Sequence, residues 1–217
     1  MKTIYILLTR SGTLLSRLVH LFTGDSFTHA SISFEPTLQP LYSSARKNGE
    51  TMFPAGPCRE YFHRGFFHKN RNIPCALYEI KVSQEQYEQA LLETDWIISR
   101  SDEYRFNILG LLLCRLNIPL RREKKFFCSQ FVAEILRRSD ALSLPKVPSL
   151  MRPMDYASLP EANCLYQGLL RDLVALRTDI SIGEPPSSVY TLLLRDAFYF
   201  LGLQVPRKWI ANSGGMW

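Results

Sequence analysis

An α+β domain, with an antiparallel sheet packed against helices on one side, is what the order of patterns in this chain predicts. Three observations carry that expectation. The chain opens on a strand pattern, "TIYILLTR"; a strand–strand pair, "FTHASISFE" and "PLYSSAR", follows; and after a further strand, "CALYEIKV", the apolar residues recur at helical spacing.

Each element has its own signal. "TIYILLTR" is rich in β-branched and aromatic residues and reads as a buried strand. "GTLLSRLVHLFTG" places Leu14, Leu15, Leu18, Val19 and Phe22 at helical spacing and stops at Gly24. "FTHASISFE" alternates: Phe27, His29, Ser31 and Ser33 share one face, and Thr28, Ala30, Ile32 and Phe34 the other. Glu35-Pro36-Thr37 turns the chain into "PLYSSAR", its antiparallel neighbour. Residues 48 to 74 hold Gly, Pro and many aromatics without a clear period, and are expected to form an ordered loop insertion. Ser83 caps a helix over about Gln84 to Arg100, with Gln86 placed to complete a capping box. A second helix is expected over Phe106 to Leu116, a third after Cys128, and a short helix or strand around "CLYQGLLRDL". A main domain over residues 1–178 is thus followed by a C-terminal helical appendage over 179–217, whose helix starts at Ser187 or Ser188.

Composition narrows the functional classes. The chain has 217 residues, 46% hydrophobic, with a net charge of +6, and the length fits one domain with an appendage. Basic residues cluster around Cys128: Arg121, Arg122, Lys124 and Lys125 before it, Arg137 and Arg138 after it. A solvated face is the ordinary explanation of such a run, and an anionic substrate or membrane surface the alternative. No nucleic-acid-binding signature is present, so nucleic acid is not an expected partner. The N-terminus carries no signal-peptide pattern, and no stretch reaches the roughly 18 apolar residues of a spanning helix. The five cysteines are odd in number and scattered, which suits a reducing, cytoplasmic compartment.

In "EKKFFCSQFVAEILRRSD", Cys128 lies on the apolar stripe of its helix together with Val132 and Leu136. Packing in the core is the plain explanation, since free cysteine is a well-buried residue. Against it, Cys128 sits in the first turn, where unpaired N–H groups favour a thiolate, and Lys124 and Lys125 add positive charge. His29 shares its strand face with serines rather than with Ile32 and Phe34, and a strand packed on the Cys128 helix would bring a base to the thiol.

These residues carry a resemblance. "FFCSQFVAEIL" resembles the aromatic-Cys-Ser helix of the NlpC-type papain-like cysteine hydrolases, and a strand histidine about a hundred residues before the cysteine is the order of their circularly permuted branch. That branch includes the YiiX/YebB-like proteins and is similar to lecithin retinol acyltransferase. "FTHASISF", "EYRFNILGLL" and "RPMDYASLP" resemble further segments of the branch, over roughly residues 1 to 178. The resemblance implies a permuted papain-like fold, a bacterial source and a thiol-dependent hydrolase: a peptidase or amidase, or an ester or acyl-transfer enzyme, working through a thioester without a cofactor. Cys128 would be the nucleophile and His29 the base and acid. N–H groups at the start of the Cys128 helix would hold the oxyanion. Tyr104 and Ser129 would contact substrate, although Tyr104 reads equally well as a core residue. The residue that orients the histidine falls on "LYSSAR", where Ser43, or else Ser44, would serve; a neutral serine orients weakly. The implied substrate is a peptide, an isopeptide or an acyl lipid.

The weak orienter leaves open a non-catalytic binding module on the same fold, associating with a peptide or an anionic membrane. Cys58, His63, His68 and Cys75 are zinc-type residues, but the spacing C-x4-H-x4-H-x6-C lacks a close cysteine pair, so no metal is expected. The C-terminal helix reads as an ordinary docked helix, with a membrane-surface helix as the alternative.

Overall fold

The computed structural model describes residues 1–10, 24–47 and 54–179. The expected helix over "GTLLSRLVHLFTG" and the C-terminal helix lie outside them. Residues Met1–Arg177 form one unit.

The class is α+β. Six antiparallel strands, β1 (Lys2–Thr9), β2 (His29–Ser33), β3 (Leu41–Arg46), β4 (Ala55–Glu60), β5 (Pro74–Val82) and β8 (Ala162–Leu169), run in the order β4-β3-β2-β1-β5-β8. A two-stranded parallel pair, β6 (Arg105–Phe106) and β7 (Lys125–Phe126), stands apart from the sheet. The helices are α1 (Gly65–Lys69), α2 (Gln84–Ser99), α3 (Ile108–Arg115), α4 (Cys128–Arg138), α5 (Pro153–Ala157) and α6 (Leu170–Asp179). Ser83 and Gln86 close the capping box of α2 in both directions, at 3.1 and 2.9 Å.

β1 lies between β2 and β5, and Ile4 through Leu8 are buried on both faces. This explains the unbroken apolar run of "TIYILLTR". Ile4, Ile6 and Leu8 join Ala30, Ile32 and the apolar sides of α2 and α4 in one core cluster. Tyr5 and Leu7 join Leu41 and Leu77 in a second, on the other face, which is covered by Phe67 of α1 and by Leu170 and Leu173 of α6. Helices therefore cover both faces, where the sequence pattern placed them on one. The cause is local: residues 48 to 74, read as an insertion, contain β4 and α1, and "CLYQGLLRDL" is a strand that turns directly into α6.

α4 packs on β2 and β3 and is buried from Cys128 to Leu136. α3 ends where Asn117 turns left-handed, at φ 57°. The Ile118 N–H donates to the Leu113 carbonyl and the Asn117 N–H to the Cys114 carbonyl, the double bond of a Schellman stop. Among the described residues no helix is long and apolar enough to cross a membrane.

Candidate active site

The first turn of α4 is held from four sides. The Ser44 hydroxyl donates to the Phe126 carbonyl at 2.7 Å, just before the helix. The buried Tyr156 hydroxyl donates to the Ser129 carbonyl at 2.6 Å, and the Ser129 hydroxyl donates to the Met151 carbonyl at 2.7 Å. The Asn107 amide donates to Gln130 Oε1 at 3.2 Å. Phe127, the N-cap, is extended and has no side chain on the turn's N–H groups. Those groups are thus left to an anion or a thiolate.

Cys128 opens this turn at 6% exposure. Its sulfur lies 3.9 Å from the Thr28 carbonyl, at the entry to β2, and is within hydrogen-bond reach of His29. The residues predicted as nucleophile and base are therefore brought together. Burial alone would push the Cys128 thiol up. The hydrogen bond and charge of His29, with the N–H groups of Ala30 and Ser129, outweigh it and hold Cys128 below the ordinary thiol value. The half-buried Cys58 and the buried Cys75 and Cys114 go the opposite way: desolvation raises Cys58, raises Cys75 to about 12 and raises Cys114 to about 11.

His29 Nε2 lies 3.1 Å from Glu60 Oε2, a residue the sequence reading missed. The side chains of His29 and Glu60 are only 15% and 11% exposed, so solvent screens the pair poorly. Burial works against a charged imidazole here. The Glu60 carboxylate and the hydrogen bonds to Cys128 and Glu60 overcome that and raise His29 to about 10. Glu60 itself is held below its ordinary value: burial would raise it, but His29, Ser31 and Ser43 together lower it.

Ser43 stands where the sequence placed it, with its hydroxyl 3.4 Å from His29 Nε2. It also bonds Glu60, as does Ser31, whose hydroxyl donates to Glu60 Oε2 at 2.8 Å. The serines therefore hold the carboxylate that holds the histidine. Strand parity separates Ser43 from Ser44: Ser43 faces His29, whereas Ser44 faces Phe126 on the opposite side. The signal for Glu60 was the alternation Gly56-Cys58-Glu60 inside the aromatic-rich stretch, which puts Glu60 on the face of Ser43.

Two residues expected to touch substrate are placed otherwise. Tyr104 is a core ring, 3% exposed, stacked on Phe126 and edge-on to Trp96. The Ser129 side chain is buried and spent on Met151, so its backbone N–H, rather than its hydroxyl, faces the sulfur. The tyrosine near Cys128 is Tyr156, whose hydroxyl is pushed well up by burial and then by the cysteine's charge. Of the four residues considered for zinc, Cys75 is buried in β5 and His63 Nδ1 lies 3.1 Å from Gln39. Among the described residues, no three His, Cys, Asp or Glu side chains converge to hold a metal.

No known family's sequence profile matches this chain, and no curated protein matches it in sequence.

Proposed function

We infer that the protein is a thiol hydrolase or acyltransferase of the circularly permuted NlpC-like, papain-like type, acting in a reducing, cytoplasmic compartment. The observation that carries this is the chain Cys128–His29–Glu60, in which the one cysteine lowered despite deep burial pairs with a histidine held by a buried carboxylate. Five free cysteines support the compartment.

The chemistry follows from the geometry. The Cys128 thiolate attacks a carbonyl carbon, and N–H groups of the first turn of α4 donate hydrogen bonds to the developing oxyanion. The leaving amine or alcohol takes the proton from His29, and a thioester to Cys128 remains. Water, or a second acyl acceptor, gives its proton to His29 and attacks the thioester, which releases the acyl group and restores the thiolate. The scissile bond is an amide or ester of a peptide, an isopeptide or an acyl lipid. Glu60 also removes the observation on which a non-catalytic module rested, a serine standing alone as orienter.

The test is the pH dependence of alkylation at each cysteine, read by peptide mass spectrometry in the wild type and in His29→Ala. Cys128 should react well below the ordinary thiol pKa of about 8.5 and lose that advantage without His29. Alkylation of Cys128 no faster than that of Cys58 or Cys75 in both proteins would overturn the assignment.

A further inference from the structure

α3 is apolar on every side. Gly110 and Cys114 face inward, while Ile108, Leu109 and Leu112, with Leu116 and Ile118 after the helix, are between 40% and 68% exposed. A surface helix ordinarily turns polar residues outward, and the only charged residue of α3 is Arg115. The Schellman stop fixes Leu116 and Ile118 in a defined turn rather than a fraying end. Val147, 53% exposed, extends the apolar surface from the turn at Pro148–Leu150, against which α3 packs.

Basic groups flank this surface where the chain leaves α3. Arg121 and Arg122 follow Ile118 closely and are exposed, with Glu123 the only acid between Ile118 and Lys125. On the inward, Cys114 side, Lys146 and Arg152 are paired with Asp155, at 2.8 and 3.9 Å, so the cations of the exposed face are Arg121 and Arg122. An apolar projection flanked by exposed arginines matches acyl chains beneath anionic headgroups. A second copy of this chain does not fit as well, because a two-fold contact would set the same cations against one another.

We propose that α3, with Arg121 and Arg122 after it, docks the protein on an anionic membrane surface. The Asn107 amide ties the start of α3 to Gln130, in the first turn of α4. The docked membrane therefore lies beside the helix that carries Cys128. Docking does not depend on the thiol chemistry.

The full chain is sedimented with vesicles of phosphatidylcholine alone, or with about a quarter phosphatidylserine, at low salt and at about 1 M salt. Binding is expected to the phosphatidylserine vesicles and to be lost at high salt. Each removed cation should weaken partitioning about fivefold, so Arg121→Gln with Arg122→Gln should lower it by at least about tenfold. Leu109→Ser with Leu112→Ser should abolish it. Cys128→Ala should bind as the wild type does, which separates failure of docking from failure of the catalytic assignment. The variants change exposed side chains, and an unchanged circular dichroism spectrum with wild-type Cys128 alkylation shows that they fold. No vesicle binding overturns the proposal, as does binding untouched by either pair of substitutions. A dimer in solution that the Leu109 and Leu112 substitutions dissociate overturns it too, because a second copy would then occupy the face.

Discussion

Glu60 Oε2 stands 3.1 Å from His29 Nε2, although the whole of β3 separates their strands. The carboxylate reaches across Ser43, and both serines beneath it donate to it. A carboxylate with three donors and little solvent stays ionised. An ionised partner is what keeps an imidazolium stable next to a thiolate.

Glu60→Gln keeps the shape and removes the charge. Burial then dominates at His29, whose pKa falls from about 10, and Cys128 loses the cation that lowers its own. The alkylation midpoint of Cys128 should move up toward the ordinary thiol value, and turnover of any substrate should drop by roughly 10²-fold or more. An unchanged alkylation profile in a folded Glu60→Gln protein would remove Glu60 from the site.

Ser31→Ala and Ser43→Ala each delete one neutral donor to that carboxylate. Each bond is worth about 1 kcal/mol, so either substitution should cost up to about tenfold in turnover. Ser31 donates to Glu60 at 2.8 Å, whereas Ser43 stands 3.4 Å from the ring, so the loss in Ser31→Ala should be the larger. A loss in Ser43→Ala as deep as in Glu60→Gln would make the serine the principal orienter instead. Steady-state kinetics on the three variants ranks them.

How much of this was legible in the sequence depends on the distance over which each signal acts. The strand alternation around His29 and the apolar stripe around Cys128 are local, and they fixed both the elements and the pair worth testing. Ser83 and Gln86 announced their box because a cap is a four-residue event. Glu60 was hidden for two reasons: glycine and proline, poor strand formers, obscured β4, and the register that carries Glu60 across β3 is set by non-local pairing. Tyr104 read equally well as a site or a core residue until packing assigned it to the Phe126 stack, and Tyr156, which bonds Ser129, carried no local signal of its place. α6 was missed as a cover for the second sheet face because nothing local says on which side a helix will pack.

The charged site also sets a pH window for stability. His29 is raised from 6.5 to about 10, so its contribution is complete below 6.5 and is lost as pH rises through 10. Glu60 is lowered, so its contribution is complete above its ordinary value of 4.5 and is lost as pH falls through its folded value. Both therefore operate together between those limits. Urea midpoints measured across pH should show the wild type losing stability relative to Glu60→Gln at both the alkaline and the acid ends. Parallel curves for the two proteins would show that the pair carries no linkage.

Asn107 and Gly110 permit a test of the framework rather than the chemistry. Asn107 is fully buried; its Oδ1 accepts from the Gly110 N–H at 3.0 Å, and its amide donates to Gln130. Asn107→Ala removes a helix cap and strands a buried Gln130 oxygen, a loss of about 2 kcal/mol. In Gly110→Ala, propensity favours alanine by about 1 kcal/mol, but the new Cβ would overlap the Asn107 amide, so the clash decides the sign and the variant is destabilised. In the double variant the overlapping group is gone, and alanine at 110 regains its helical advantage. Denaturation of the four proteins should therefore show Asn107→Ala/Gly110→Ala more stable than Asn107→Ala alone. Additive losses would mean that Gly110 is required by its backbone and not by the side chain packed against it.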